Sequence, residues 1–117
     1  MQNLSYEKIN QDTSVATLSG RLDVSVSGDI EEVLVQKLEE DNLKYILLNM
    51  EDVEYMSSSG FRVAIALLRK IKIKDGSLKM CSLKPAVKRI FDVIELTSLF
   101  EIYETEKEAL DAFSNEK

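Results

Sequence analysis

The chain has 117 residues, and its 21 Asp and Glu outnumber its 15 Lys and Arg, so the formal net charge at pH 7 is −6. This length predicts one domain over residues 1–117, large enough to bury a hydrophobic core without disulfides or a metal. The acidic balance argues against direct nucleic-acid binding, because such binding depends on Lys and Arg that neutralise phosphates.

The N-terminal segment predicts an antiparallel pair of strands. The candidate strands are residues 4–10 and 13–19, and Asn10-Gln11-Asp12 supplies the turn between them. We therefore expect the sheet to begin with two antiparallel strands.

A helix and a buried strand are predicted next. The helix is expected to begin at Ser27-Gly28-Asp29, with acids in its first turn, and to stop at Asp41-Asn42. The continuous apolar run over residues 45–49 is typical of a strand covered on both faces, so we expect it at the centre of the sheet. The apolar face of the helix is predicted to contain Ile30, Val33, Leu34 and Leu38.

A second helix and a further strand follow. The helix is predicted to begin around Phe61, after Ser57-Ser58-Ser59-Gly60, and Asp75-Gly76 supplies the turn into a strand over residues 78–83. A strand, helix and strand form a crossover unit, which is right-handed in nearly all known proteins, so strands 45–49 and 78–83 are expected to be parallel. The apolar face of this helix is predicted to contain Phe61, Ala64, Ile65, Leu68 and Ile71.

The C-terminal part predicts two more helices around a short strand. Pro85 is typical of a first helical turn, and residues 99–103 form a candidate strand. Thr105 and Glu108 have the spacing of a capping box, so a last helix is expected there. The fold class is therefore predicted to be α/β, with a mixed sheet of about four to five strands packed by about four helices. The apolar residues of the two helices are Val87, Ile90, Phe91 and Ile94, and Ala109, Leu110 and Phe113.

Cysteine content and hydropathy indicate the compartment. The single cysteine, Cys81, lies in a predicted strand and cannot form an intramolecular disulfide, so we interpret it as a buried, inert thiol. The sequence shows no signal peptide, and no apolar run approaches the roughly 18 residues of a membrane span. A cytoplasmic protein without a membrane partner is therefore expected.

The cluster Ser57-Ser58-Ser59-Gly60 is the candidate functional feature of the chain. The first N–H groups of a helix lack intrahelical partners, and the helix dipole adds partial positive charge, so a serine there can accept a phosphate without loss of the helix. Serine is also a favoured N-cap residue. The residues alone therefore leave two interpretations, a phosphorylation switch and a simple cap.

No combination of residues predicts catalysis, a metal or a cofactor. The chain has no histidine for a Ser-His-acid arrangement, and the serine cluster does not match the G-x-S-x-G pattern. A Ser-Lys pair would need Lys84 or Lys88 to fold against the serines. The glycines lack the spacing of a phosphate-binding loop. Glu51, Asp52 and Glu54 are interpreted as a solvated charged rim on a turn after the buried strand, rather than as a metal site.

Positive charge is concentrated in residues 69–74, which contain Arg69, Lys70, Lys72 and Lys74 before the first acid. Cations at the end of a helix complement its dipole, which accounts for the cluster. A docking patch is the alternative interpretation.

Three further segments occur in a distinctive order: residues 18–23 (LSGRLD), 46–60 (ILLNMEDVEYMSSSG) and 81–92 (CSLKPAVKRIFD). Together they resemble the STAS domain of anti-sigma-factor antagonists, and the resemblance runs over residues 4–113. It implies a bacterial partner-switching protein that binds an anti-sigma factor, usually a serine kinase, and thereby frees a sigma factor for transcription. It also implies that phosphorylation by that kinase breaks the complex and that a serine phosphatase restores it.

The resemblance assigns roles to individual residues. Ser58 matches the phosphoacceptor of the family's Asp-Ser-Ser/Thr-Gly signature, and Ser59 and Gly60 match the next two positions. Asp23 matches a position beside the phosphorylation site and the partner surface. Arg62 is expected to be exposed beside Ser58, either as a partner contact or as a simple surface residue. The implied partner-binding residues are Asp23, Ser57, Ser58, Ser59, Gly60 and Arg62, with Ser59 and Ser57 as secondary phosphorylation candidates.

The chain departs from the signature at Ser57, which stands where the family has Asp. An Asp there could accept hydrogen bonds from N–H groups and could present a negative charge to the kinase. We expect Ser57 to keep the first role, as a neutral acceptor, but not the second. Two alternatives follow: a STAS interaction or scaffold module that phosphorylation does not regulate, and a detached regulatory domain of a membrane transporter.

Overall fold

The computed structural model describes residues 2–93, 95 and 98–116, which form a five-stranded mixed sheet and four helices. This confirms the predicted α/β class. No helix in that part of the chain combines the length and the apolar character that a membrane crossing requires. In chain order the elements are β1 (Leu4–Lys8), β2 (Thr13–Leu22), α1 (Val24–Glu40), β3 (Tyr45–Met56), α2 (Ser58–Ile73), β4 (Ser77–Cys81), α3 (Pro85–Val93), β5 (Glu101–Tyr103) and α4 (Glu106–Glu116).

The strands lie in the order β1-β2-β3-β4-β5, so β3 is central, as predicted. β1 pairs with β2 in the antiparallel direction, whereas β2, β3, β4 and β5 pair with one another in parallel. Tyr45 lies opposite Ser77, and Asn49 lies opposite Cys81, which confirms the expected parallel crossover. The carboxyl ends of β2 to β5 therefore meet at one edge of the sheet.

β3 is much longer than predicted, since it continues from Asn49 to Met56. Glu51, Asp52 and Glu54 are exposed, but they lie in this strand, so their predicted placement on a turn is wrong. The exposed acids resemble turn residues in the sequence, yet the backbone around them stays extended because it pairs with β2.

The extension of β3 pairs with β2 through an irregular ladder. Two shifts of register interrupt the pairing, and Gly20 lies beside them with a φ of +78°. Val53 and Met56 are both buried, although they are three positions apart. Such irregularities break the two-residue alternation of a regular strand, which is why the alternation did not reveal the extension.

The helices that follow the two long strands begin earlier than predicted. α1 begins at Val24 rather than around Ser27, and α2 begins at Ser58 rather than around Phe61. Valine and serine are only moderate helix formers, so propensity conceals the first turn of α1. The capping residue Asp23 determines where that helix begins.

The other boundaries lie within a few residues of the predicted ones. α1 ends at Glu40, directly before the predicted stop, and α3 begins at Pro85. Thr105 Oγ1 accepts a hydrogen bond from Glu108 N at 3.1 Å, which confirms the predicted cap of α4. The predicted core residue Ile94 lies outside the described residues.

The two faces of the sheet are covered by different helices. α1, α2 and α3 pack on one face over the larger core, and α4 packs on the other over a smaller one. Cys81 is buried in the smaller core, as predicted, and this burial raises the pKa of its thiol. Most residues of the predicted apolar faces are buried, and four are half-buried: Val33, Ile65, Ile90 and Leu110.

A buried lysine holds α4 against the sheet. Lys79 in β4 is 2% exposed, and its Nζ donates to Glu101 and lies 3.2 Å from Glu116 Oε2. Burial alone would lower the pKa of Lys79, but the hydrogen bonds to the two carboxylates outweigh it and the pKa is raised. Asn49 Nδ2 donates to Glu106 Oε1 at 2.9 Å. Polar contacts therefore tie both ends of α4 to the sheet.

Two glycines provide a test of the packing. A Cβ at Gly76 would overlap the Lys44 carbonyl oxygen and lie 2.8 Å from Ile71 Cγ1. Gly76→Ala is therefore expected to lower the free energy of unfolding by about 1–3 kcal/mol, as overpacking generally does. The measurement is urea denaturation followed by circular dichroism.

The matched control is Gly28→Ala, in the exposed part of α1. A Cβ there meets no atom within 4 Å, so the change is expected to raise the free energy of unfolding by about 0.5–1 kcal/mol through helix propensity. A Gly76→Ala protein as stable as the wild type would contradict the close approach of residues 44 and 76.

Candidate functional site

The candidate site lies where β2 and β3 end side by side. Leu22, the last residue of β2, pairs with Met56, the last residue of β3. α1 and α2 begin immediately after these residues, with Asp23 and Ser57 as their N-cap residues. In open α/β sheets, binding sites collect at the carboxyl ends of the strands.

A bifurcated hydrogen bond joins the end of β2 to the start of α2. The carbonyl oxygen of Leu22 accepts from Ser57 N at 3.0 Å and from Ser57 Oγ at 3.1 Å. A Cβ at Gly60 would lie 3.0 Å from the same oxygen and 3.3 Å from Met56 Cε. The first turn of α2 can therefore approach β2 this closely because residue 60 has no side chain.

Ser57 does not act as the neutral acceptor that we expected. It occupies the N-cap position of α2, yet its side chain makes no capping hydrogen bond. The hydroxyl donates to the Leu22 carbonyl instead, because that oxygen lies within reach at the end of the adjacent strand. The first N–H groups of α2 therefore receive no cap from this side chain.

The two serines that follow differ in exposure. Ser58 is the first residue of α2 and is exposed, whereas Ser59 is half-buried. Arg62 is exposed, as predicted, and it lies one helical turn after Ser58. Residues four apart share one face of a helix, so the hydroxyl and the guanidinium lie on the same side of α2.

Asp23 caps the neighbouring helix. Its Oδ1 accepts hydrogen bonds from Ser25 N at 3.1 Å, Val26 N at 3.3 Å and Ser25 Oγ at 2.7 Å. The hydrogen bond from the Ser25 hydroxyl is the main reason that the pKa of Asp23 lies below its usual value. Asp23 directly follows Leu22, so this carboxylate lies at the same strand end as the serine cluster.

An exposed cation–π pair also lies near the carboxyl ends of β2 and β3, and it was not predicted from the sequence. The guanidinium carbon of Arg21 lies 4.3 Å from the centroid of the Tyr55 ring. Both residues are exposed and lie opposite each other in the β2–β3 register. Because that register depends on the irregular ladder, no local motif could have brought the two side chains together.

The site presents an exposed hydroxyl at the positive end of a 16-residue helix, on backbone fixed by two hydrogen bonds to the adjacent strand. An anionic group added to Ser58 would meet uncapped N–H groups there. Within the described ranges, no group of three or more His, Cys, Asp or Glu side chains is placed to hold a metal ion. The arrangement is thus suited to modification and to recognition by another protein.

Comparisons with known proteins identify the family of this chain. The sequence pattern of the STAS domain matches residues 6–109. The chain is 31% identical over 103 residues to an anti-sigma-B factor antagonist of Staphylococcus aureus, covering 87% of this chain and 94% of that protein. It is 28% identical over 96 residues to an anti-sigma F factor antagonist of Paenibacillus polymyxa, covering 82% of each.

Solved structures show the same fold. The anti-sigma factor antagonist SpoIIAA in its unphosphorylated form superposes with a TM-score of 0.86 at 23% identity, over 96% of each chain. The phosphorylated form of the Bacillus cell fate determinant SpoIIAA superposes with a TM-score of 0.75 at 23% identity, over 93% of this chain and 97% of that one.

The two N-cap residues allow a test of the local geometry. Asp23→Ala is expected to lower the midpoint of urea denaturation at pH 7, because α1 loses its cap. The pKa of folded Asp23 is depressed, so its stabilising effect is complete above the ordinary Asp pKa of about 3.9 and is lost as the pH falls through the folded value. The difference between wild type and Asp23→Ala should therefore shrink on acidification.

Ser57→Ala is the control for that experiment. The serine hydroxyl does not titrate in this range. Any loss of stability in Ser57→Ala should therefore be the same at pH 7 and at acidic pH. An Asp23→Ala protein with the wild-type midpoint at pH 7 would show that this carboxylate does not cap α1.

Proposed function

The chain belongs to the STAS domain family, and on that premise we propose that it is an anti-sigma-factor antagonist. In this role it binds an anti-sigma factor and thereby releases a sigma factor for transcription. The observation that carries the proposal is the exposed Ser58 hydroxyl at the first residue of α2, in a chain whose relatives carry this name.

The proposed role is binding rather than catalysis. The candidate site offers a hydroxyl, a helix start, an exposed guanidinium at Arg62 and the Arg21–Tyr55 pair. Aromatic rings and arginines are enriched among residues that dominate protein interfaces. We expect Asp23 and the segment from Ser57 to Arg62 to form the centre of the partner surface, since they lie at one end of the sheet.

Phosphorylation of Ser58 is the proposed switch. A phosphoserine adds a charge of about −1.5 to −2 at pH 7. The helix dipole and the uncapped N–H groups of α2 would stabilise that charge in the free protein. Against a tightly packed or acidic partner the same charge would be desolvated and repelled. The complex would therefore weaken without any refolding of this domain.

We further propose that the anti-sigma factor is itself the serine kinase and that a serine phosphatase reverses the modification. Ser57 affects how large the change of charge would be. Its side chain is neutral, and its hydroxyl donates a hydrogen bond to the Leu22 carbonyl. The phosphoryl group would therefore supply the negative charge at the start of α2 that residue 57 does not supply.

A second candidate function is favoured by the same residue. In a STAS interaction or scaffold module without phosphoregulation, residue 57 would have only the task of fixing α2 to β2, which Ser57 fulfils.

Mass spectrometry of the tagged protein purified from its native host separates the two candidates. Phosphate on Ser58 with a bound kinase supports the switch, whereas an unmodified protein with a stable partner of another class supports the scaffold.

The switch predicts a defined pattern of binding by variants. Ser58→Asp is expected to weaken the complex with the copurified anti-sigma factor more than a hundredfold, which corresponds to a loss of about 3 kcal/mol. Ser58→Ala should bind like the wild type and should stay bound when ATP is added. Isothermal titration calorimetry measures the affinities, and incorporation of labelled phosphate measures the modification.

Ser114→Ala is the matched control, since it removes an exposed hydroxyl on α4, on the other face of the sheet. It should bind and become phosphorylated like the wild type. A Ser58→Asp protein with unchanged affinity would falsify the electrostatic account of the switch.

A further inference from the structure

We propose that Arg62 changes its binding partner when Ser58 is phosphorylated. In the unmodified protein its guanidinium binds a carboxylate of the anti-sigma factor, and in the modified protein it binds the phosphate of Ser58. The inference rests on the proposed function and adds a second effect to it. The phosphate would introduce negative charge at the partner surface, and it would also withdraw a positive group from that surface.

Arg62 has no carboxylate beside it on its own helix. The 16 residues of α2 include no Asp or Glu. On the surface of a helix, the neighbours of a residue lie three and four positions away. For Arg62 these neighbours are Ser58, Ser59, Ile65 and Ala66. Only the two serines can gain a negative charge by phosphorylation, and of these Ser58 is exposed whereas Ser59 is half-buried.

The guanidinium of Arg62 is not engaged elsewhere in the described part of the chain. The ion pairs found there all involve Lys79 or Lys107. Arg21, at the end of β2, lies over the Tyr55 ring. Arg62 is exposed and makes no such contact, so its side chain is available to an anion.

The geometry of a helix directs Arg62 toward Ser58. Long side chains in a helix lean toward its N-terminus and cover the preceding turn, which for Arg62 begins at Ser58. The Cβ atoms of residues four apart are separated by about 5–6 Å. The order is also favourable, since an anion four positions before a cation stabilises a helix more than the reverse order does. We therefore expect a phosphate on Ser58 to lie within reach of the guanidinium without any movement of the backbone.

The chemistry of the two groups favours the phosphate over a carboxylate of the partner. The planar guanidinium donates two parallel hydrogen bonds to either group. The phosphate carries a charge of about −1.5 to −2, whereas a carboxylate carries a single charge. The phosphate is also attached to the same helix, so its contact with Arg62 does not incur the entropy cost of association. The guanidinium would therefore leave the partner for the phosphate.

This exchange would leave a charge on the partner without its counter-charge. Arginine is enriched in protein interfaces, and opposite charges face each other across them, so the anti-sigma factor is expected to place an Asp or Glu opposite Arg62. A carboxylate that loses its partner in an interface is destabilising, because it stays desolvated. The modification would thus weaken the complex more than the added charge does alone.

Nuclear magnetic resonance on the free, full chain tests the contact within α2. Phosphoserine is incorporated at position 58 during synthesis, so that no kinase is needed. The Nε–H signal of Arg62 should then move downfield and exchange more slowly with water, because both changes report a hydrogen bond. The Nε–H signal of Arg69, another exposed arginine of α2, is the matched control and should not change. An Arg62 signal that stays in place would overturn the proposal.

An affinity cycle tests the exchange of partners. Calorimetry with the copurified anti-sigma factor compares the wild type with Arg62→Gln, each with serine and with phosphoserine at position 58. Arg62→Gln should weaken the unmodified complex about tenfold, because one charge-assisted pair is lost. The factor by which the phosphate weakens binding should be at least about threefold smaller in this variant, since no guanidinium remains to be withdrawn. Arg69→Gln is the control and should change neither value.

The outcomes separate this inference from the proposed function. If the phosphate weakens Arg62→Gln by the same factor as the wild type, or by a larger one, Arg62 does not change partner, although Ser58 still acts as a switch. If the phosphate leaves the affinity of the wild type unchanged, the proposed switch is wrong, and the exchange is wrong with it.

Discussion

The parallel pairing of β2 with β3 is the constraint on which the rest of the structure depends. It runs from Thr13 opposite Tyr45 to Leu22 opposite Met56, so that both strands end at the same level. The two helices that follow must therefore start next to each other. The Leu22 carbonyl, which accepts two hydrogen bonds from Ser57, and the missing side chain at Gly60 fix this start to within hydrogen-bond distance. The position of Ser58 is a consequence of strand pairing and not of the serine cluster alone.

The division of the core into two parts separates the site from the rest of the molecule. α4 closes the smaller core through Phe113, and its ends are held by Lys79 and Asn49. These contacts lie on the face of the sheet opposite α1 and α2. Since Ser57 to Ser59 lie at the strand ends beside α2, and not beside α4, we expect a charge added at Ser58 to leave the packing of α4 unchanged. This separation would allow the proposed switch at Ser58 to operate on a fixed scaffold.

Local sequence patterns predicted the helices and strands that neighbouring residues define. The apolar periodicity of the helices, the capping box at Thr105 and the apolar run of β3 needed no knowledge of distant residues. Apart from the early start of α1, which the adjacent cap Asp23 determines, the errors occurred where distant contacts decide the outcome. The acids of β3 stay in a strand because β2 lies beside them, and the Ser57 hydroxyl donates to Leu22 because strand pairing brings a residue 35 positions away within reach. The Arg21–Tyr55 pair was missed for the same reason, since the irregular ladder sets its register.

The two helix starts at this end of the sheet differ in the charge that they carry. Asp23 places a carboxylate at the start of α1, where it accepts hydrogen bonds from Ser25 N and Val26 N. Ser57 places only a neutral hydroxyl at the start of α2, and that hydroxyl donates to the end of β2 instead of capping the helix. The positive end of α1 is therefore already met by a negative charge, whereas the positive end of α2 is not. A phosphoryl group at the proposed Ser58 site would give α2 the charge that Asp23 gives α1, on a backbone that strand pairing holds in place.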